Sequence, residues 1–264
     1  MVVEKIEIKD VNKENVEDLI YLCIPPDKKD DPFFIEGAKV KRRWANKALE
    51  KYGSIAKLAY LNSKPVGMIQ YQPKPDEKLV EITCIFVPNK ENLRKGIGKT
   101  LLKSLLDDMR KPKPYFNNDT PLALVTWAFE VPGLYPQHEF YRKMGFKQVS
   151  KDEPFLLYYP LKEGFVYIPK SKEYIPQEED KGKILIFYDP SCPFCIYFLE
   201  KEKELVREVA PEVPTRIINQ FEEPEEVEKR GKISFCIVNG KPIKTFFMDK
   251  ENFQKEVKEA LKHG

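Results

Sequence analysis

Between residues 53 and 109 the chain spells out three strands, a glycine turn and a helix in direct succession. No other run restricts the possible folds as much. IAKLAYL (55–61) and PVGMIQY (65–71) are short apolar runs parted by Asn62-Ser63-Lys64, which is a hairpin signal. LVEITCIFV (79–87) is a third strand. LRKGIGKTLL (93–102) follows, and Leu101, Leu102, Leu105, Leu106 and Met109 then recur at helical spacing. Strands that feed such a helix must lay it on their sheet, so an α/β fold with flanking helices is expected.

The flanks extend this pattern. VVEKIEIK (2–9) alternates as a half-buried strand, and Asn12 can cap a helix running toward Cys23. Residues 24–34 hold several prolines and read as a long loop, followed by a basic amphipathic helix near 36–51 that Gly53 closes. PLALVTWAF (121–129) has the apolar, β-branched character of a central strand. HEFYRKMGF (138–146) contains a short helix stopped by Gly145, and strands near 146–149 and 154–161 complete a first domain, 1–161. Residues 162–181 are polar with little periodicity and read as a linker. The order restarts in 182–264: strand ILIFY, helix IYFLEKEKELVREV, strand VPTRIIN, short helix EPEEVEKR, strands ISFCIV and PIKTFF around Asn239-Gly240-Lys241, and helix NFQKEVKEALK.

Composition excludes several classes. The 45 basic and 42 acidic residues nearly cancel at net +3, which gives no general attraction to nucleic acid or an anionic membrane. No apolar run reaches the roughly 18 residues of a membrane span, and MVVEKIEIKD lacks a signal peptide's apolar core, so the cytoplasm is the expected location. The five cysteines are sparse and odd in number, unlike a secreted disulfide scaffold, and the two histidines are too few for a histidine-rich metal centre. Oligomeric state is not legible.

LRKGIGKTLL admits three phosphate-binding readings. A P-loop needs glycine where Leu93 stands, and a dinucleotide fingerprint needs its third glycine where Leu101 stands. The third is a turn whose amides hold a pyrophosphate at a helix N-terminus, helped by Arg94, Lys95 and Lys99. An ordinary glycine-containing helix start is the alternative.

The context resembles motif A of the GNAT superfamily of acetyl-CoA-dependent N-acetyltransferases, whose loop reads (Arg/Gln)-x-x-Gly-x-(Gly/Ala) before a helix. Gly96-Ile97-Gly98 matches, Leu93 stands in the Arg/Gln position, and Arg94 is next to it. Phe140-Tyr141-Arg142-Lys143-Met144-Gly145-Phe146 is similar to a second family motif, and the resemblance spans roughly 1–161. Cys23-Ile24-Pro25-Pro26, AYLNSKPVGMIQYQP, Phe129-Glu130-Val131-Pro132-Gly133 and the second domain are similar to the YoaP-like subgroup. The resemblance implies a GNAT-like mixed, splayed sheet and acetyl-CoA as cosubstrate. It places pantetheine beside the strand ending Cys84-Ile85-Phe86-Val87, with Ile85, Phe86 and Val87 in contact. The pyrophosphate would meet Arg94, Lys95, Gly96, Ile97, Gly98, Lys99 and Thr100. Tyr141 would donate to the departing sulfur. Glu81 is the candidate base, directly or through water, and Glu130 is a second candidate. A core aromatic and a solvated or ion-paired carboxylate are the plain alternatives for Tyr141 and Glu81. Cys84 reads as a small apolar strand residue. The acceptor would be an amine of unknown identity, with loops 24–35 and 130–137 as its pocket and Asp27, Asp30 and Asp31 suited to a cation.

Cys192-Pro193-Phe194-Cys195 lies between a strand and a helix, as in the thioredoxin-like fold, and the β-α-β, β-β-α order agrees. Cys192 would attack and Cys195 resolve, since a helix N-terminus favours thiolate. The stretch Ile233-Ser234-Phe235-Cys236 lacks the family's cis-proline. Alternation puts Ser234 and Cys236 on one side, compatible with Cys236 approaching the pair. Three cysteines with no histidine but His263 disfavour closed zinc and leave a soft metal open. Two functions follow: an N-acetyltransferase modulated by the thiol pair, or a thiol-redox or soft-metal-responsive protein whose first domain binds CoA or a partner.

Overall fold

The hairpin run assembles the larger of two sheets. The computed structural model describes residues 5–128, 135–169, 173–231 and 233–262. β1 (Glu7–Asp10), β2 (Ala56–Leu61), β3 (Lys64–Lys74), β4 (Leu79–Phe86), β5 (Ala123–Trp127), β6 (Lys147–Ser150) and β7 (Glu153–Pro160) form one seven-stranded sheet in the order β1-β2-β3-β4-β5-β7-β6. Only β4 and β5 pair in parallel; all other neighbours are antiparallel. The β2–β3 turn is two residues long: Asn62 and Ser63 both take positive φ (49° and 62°), while Lys64 is already in the strand. Such a turn matches the right-handed twist of a hairpin.

Four helices accompany these strands in the sequence: α1 (Val16–Tyr21), α2 (Pro32–Tyr52), α3 (Ile97–Met109) and α4 (Gln137–Lys143). The helical stripe of α3 is buried as expected, and Leu101, Leu102, Leu105 and Met109 pack with Ile69, Tyr71, Val80, Ile82 and Leu124 in one core. On β2 the Lys57 ammonium is only 3% exposed and is held by Asp10 and Asp108. The expected loop through Phe34 ends earlier. Asp31 accepts the Phe33 N–H on its side chain (2.9 Å), and α2 starts at Pro32. Aspartate before proline is a helix start, because proline's missing N–H costs nothing in the first turn.

The second sheet holds β8 (Ile184–Tyr188), β9 (Thr215–Asn219), β10 (Cys236–Val238) and β11 (Lys241–Pro242) in the order β11-β10-β8-β9. α5 (Cys195–Val209) joins the parallel pair β8 and β9, α6 (Pro224–Glu228) follows, and α7 (Lys250–Lys262) closes the unit. The strand expected over 242–247 stops at Pro242. The N–H groups of Lys244 and Thr245 donate to the Glu256 carboxylate of α7 at 2.8 and 2.9 Å, so they are not free for a ladder.

The chain gathers into two compact units, Met1–Cys23 with Ala45–Ile168, and Ile24–Trp44 with Pro169–Gly264. This differs from the boundaries expected at 161 and 182. Residues 24–44 join the second unit, where Phe34 stacks on Phe194 and Tyr197 and Trp44 meets Phe221. The expected linker is held at both ends. Phe165 and Tyr167 pack on Leu79, Ala123, Val125 and Tyr158, while residues 174–180 are tied down within the second unit. The anchor there is Arg230, 1% exposed, which binds Asp180 through two nitrogens (2.7 and 2.6 Å) and Glu226 at 2.6 Å. Burial opposes the charge on Glu226, yet hydrogen bonds from Lys229 and Arg230 hold its carboxyl down at about 2. No described helix is long and apolar enough to cross a membrane.

Arg230→Ala leaves the Asp180 carboxylate buried without its partner. It is expected to cost about 3–5 kcal/mol, read as a fall in the urea midpoint of the second unit's transition. A loss below 1 kcal/mol would show that the network does not anchor 174–180.

Candidate active site

The site grows from the place where β4 leaves β5. Their parallel ladder runs from Leu79–Ala123 to Ile82–Thr126 and ends there, although β4 continues to Phe86. On its other side β4 stays paired with β3, and the register shifts between Ile82 and Cys84, so Thr83 is an extra, bulged residue. A bulge sharpens the local twist and turns a strand away from its neighbour. From Thr83 to Phe86 the β4 backbone therefore has no strand partner on the β5 side among the described residues. Ile85, Phe86 and Val87 are half-buried along this stretch.

The glycine turn follows directly. Arg94 (φ 62°) and Gly96 (φ 82°) are both left-handed, and Gly96 is the N-cap of α3 without any side-chain cap bond. The first N–H groups of a helix have no intrahelical acceptor, so the amides of Ile97, Gly98 and Lys99 point outward unpaired. Thr100 does not supply the missing cap; its side chain donates back to the Gly96 carbonyl at 3.1 Å. Arg94, Lys95 and Lys99 are exposed, and among the described residues none of them pairs with an acid; Lys95 reaches only the Asn92 side chain at 3.3 Å. Uncapped amides and unpaired cations at a helix N-terminus make an anion site. Leu93 is 44% exposed and contributes no charge; Arg94, forced into the strained conformation beside it, does.

Tyr141 comes from α4. It is 1% exposed, between Phe140 and Phe146, in the core that holds α3. The Thr126 side chain and Cys84 are both near enough to act on its hydroxyl. Thr126 donates to the Ile82 carbonyl at 3.0 Å. Tyr141, Thr126 and Ile82 thus come together where the ladder ends. Burial is the main cause that raises the tyrosine pKa, so the hydroxyl keeps its proton. Thr126 was not singled out from sequence; a lone hydroxyl inside the apolar PLALVTWAF was the available signal. Gln70 is a similar case, 2% exposed, donating to Thr83 at 3.1 Å and leaving its Oε1 buried without a partner.

Glu81 sits opposite Val125 on β4 and pairs with Lys74 at 3.2 Å, with its side chain about a third exposed. Cys84 lies opposite Gln70. Cys23 meets the Met68 sulfur at 3.8 Å. Glu130 and most of the loop 130–137 fall outside the described residues, as does His263. Asp27 and Asp30 are exposed, and Asp31 is engaged in capping α2.

In the second unit all cysteines are free thiols. Cys192 is half-buried and Cys195, the first residue of α5, is 4% exposed. Burial, with Cys192 and Asp189 adding to it, pushes the Cys195 thiol up to about 12, so desolvation outweighs the helix dipole. Gly37 of α2 backs onto this turn: a Cβ there would lie 2.1 Å from the Pro193 carbonyl oxygen. Cys236 and Glu202 lie near enough to act on each other's ionisation. Among the described residues no cluster of three or more His, Cys, Asp or Glu side chains is arranged to hold a metal ion.

The two glycines of the turn separate space from strain. At Gly96 a Cβ meets nothing within 4 Å but φ is 82°; at Gly98 it meets the Phe140 ring at an ordinary 3.6 Å. Gly96→Ala should cost about 1 kcal/mol through the backbone. Gly98→Ala should be neutral or stabilise by up to about 1 kcal/mol. Denaturant melts that reverse this order would contradict the turn geometry.

Comparison with solved structures finds acetyltransferases. One is the PaiA N-acetyltransferase of Thermoplasma acidophilum in complex with coenzyme A, 19% identical, with a TM-score of 0.42 over 59% of this chain and 99% of that one. A GNAT-family acetyltransferase of Staphylococcus aureus Mu50 is 20% identical, with a TM-score of 0.43 over 60% and 100%. A Brucella melitensis GNAT acetyltransferase in complex with acetyl-CoA is 13% identical, with a TM-score of 0.40 over 60% and 90%. At such identities and scores no residue role here rests on them. No curated protein matches the chain. A family match does exist: residues 18–146, just under half the chain, match the acetyltransferase (GNAT) family.

Proposed function

We propose that the first unit transfers an acetyl group from acetyl-CoA to an amine. The observation that carries this reading is the parting of β4 from β5 after Ile82–Thr126, followed at once by the uncapped start of α3. Two anchors of the right chemistry lie in sequence along one strand and the turn after it. The β4 backbone from Cys84 to Val87 would pair with the amides of pantetheine. The amides of 95–99, with Arg94, Lys95 and Lys99 around them, would hold the pyrophosphate. Thr100 closes the first turn of α3 and positions those amides.

Each remaining residue has a step. Tyr141, held in the core beside Thr126, donates a hydrogen bond to the sulfur as negative charge develops there. Its raised pKa makes it a donor of this bond rather than a source of free protons. Glu81 takes the proton from the attacking amine, through a water, because its carboxylate is engaged by Lys74. In the second unit Cys192, the more open thiol, would attack in exchange and Cys195 resolve, and this pair would modulate the transferase.

Calorimetry of the full chain with acetyl-CoA should show one-site binding, and release of free CoA should appear with an amine acceptor from a mixed panel. Tyr141→Phe should lower kcat about tenfold or more while leaving the acetyl-CoA affinity within twofold. Folded protein that does not bind acetyl-CoA would remove the transferase reading. Unchanged kcat with chemistry rate-limiting would remove the role of Tyr141.

A further inference from the structure

Glu202 occupies a place that should be apolar. α5 buries Cys195, Leu199, Glu202 and Val206, one helical stripe, against β8, β10 and α7. A carboxylate on that stripe is 4% exposed. Its neighbour across the core is the Cys236 thiol of β10, near enough to act on its ionisation. Its Oε1 atom is fully buried and has no hydrogen-bond partner among the described residues. An unsatisfied carboxylate oxygen costs a core at least as much as a lost hydrogen bond, so a group left in this state asks for a donor.

Glu202 is among the residues that line a cavity of about 430 Å³ within the second unit, together with Cys236, Ile243, Phe247 and Phe253. Phe235 and Phe246, 58% and 43% exposed, stand at its margin with ring centroids 5.8 Å apart. The lining is hydrocarbon and aromatic except for that one carboxylate, a thiol and the polar strand ends. Such a volume with a few convergent polar groups is of the size that takes a small molecule.

We propose that this cavity binds an amine carried on an apolar, ring-sized body, with the nitrogen at the Glu202 carboxylate and the body among Phe235, Phe246, Phe247 and Phe253. The charges around the cavity favour a cation over an anion. Of the charged residues that line it, Glu202 is buried, whereas Lys244 is exposed to solvent. Glu256 is occupied by the Lys244 and Thr245 amides, whereas one oxygen of Glu202 has no hydrogen-bond partner among the described residues. The exposed aromatic faces add cation–π attraction on the way in. The site is separate from the proposed acetyl transfer and does not depend on it.

Ionisation of Glu202 sets the pH dependence. Burial raises its carboxyl to about 7, against the nearby Cys236 side chain, which lowers it. The other titratable groups facing it do not change charge between pH 5 and 8: Cys236 is pushed well above its ordinary value by burial, Tyr174 is raised to about 12, and Glu256 is lowered. A bound ammonium favours the ionised carboxylate, so below pH 7 binding must first remove a proton and weakens as pH falls, by about tenfold per unit.

The test uses the full chain and three probes of one shape: tryptamine, the neutral tryptophol and the acid indole-3-propionate, titrated calorimetrically at pH 5 and 7.5. Tryptamine should bind at pH 7.5, at least tenfold more tightly than either analogue, and weaken at least tenfold at pH 5. Glu202→Gln, with its fold verified by circular dichroism, should weaken tryptamine at least tenfold and abolish the pH dependence. Where that variant does not fold, the pH series on the unaltered chain decides alone. Equal binding by tryptophol, tighter binding by the acid, a pH-independent affinity, an unaffected Glu202→Gln, or no binding of tryptamine would each overturn the proposal.

Discussion

The end of the β4–β5 ladder at Ile82–Thr126 governs the first unit. Parallel neighbours normally run on together, because every unmade ladder bond leaves a backbone donor or acceptor without a partner. Here the bulge at Thr83 turns β4 away while β3 keeps it in place on the other edge. Thr126 ties off the last rung by donating to the Ile82 carbonyl, and Tyr141 of α4 lies close to it. The helix that follows β4 then begins without a cap. Open strand edge, buried phenol and uncapped helix start all follow from one strand leaving another.

The second unit is governed by polar groups placed deep inside. Arg230 draws Asp180 and Glu226 around it and so fastens residues 174–180, which carry too little apolar periodicity to be held by packing. Glu256 reaches the backbone of 244–245 and ends a strand. Glu202 lines a cavity and keeps one buried oxygen without a hydrogen-bond partner among the described residues. A buried ion pair with all its hydrogen bonds made rigidifies a fold, whereas a half-satisfied carboxylate is a site in waiting for a donor.

Much of this was legible in the residues. Alternation and helical spacing gave the strands 55–87, the α3 stripe and the β-α-β start of the second unit, because those patterns report which face is buried. Gly96-Ile97-Gly98 and Phe140 to Phe146 pointed to the two motifs of the site. The misses have local causes. Proline density hid the helix start at Asp31-Pro32, where the proline is favourable. The alternating look of PIKTFF hid a loop, because nothing near in sequence announces that Glu256 will take its amides. Thr126 and Glu202 went unread because each is a single polar residue inside a strongly apolar pattern. The partition of 24–44 with the second unit depends on contacts such as Phe34 with Phe194, which no local window contains.

The central claim is that one ligand spans the open β4 edge and the uncapped turn of α3. Amide hydrogen exchange of the full chain with and without acetyl-CoA reads both places at once. The account expects slowed exchange together at residues 84–87 and at Ile97, Gly98 and Lys99, at ligand concentrations that saturate the protein. Exchange in these two segments that acetyl-CoA leaves unchanged, or protection confined to other parts of the chain, would contradict it.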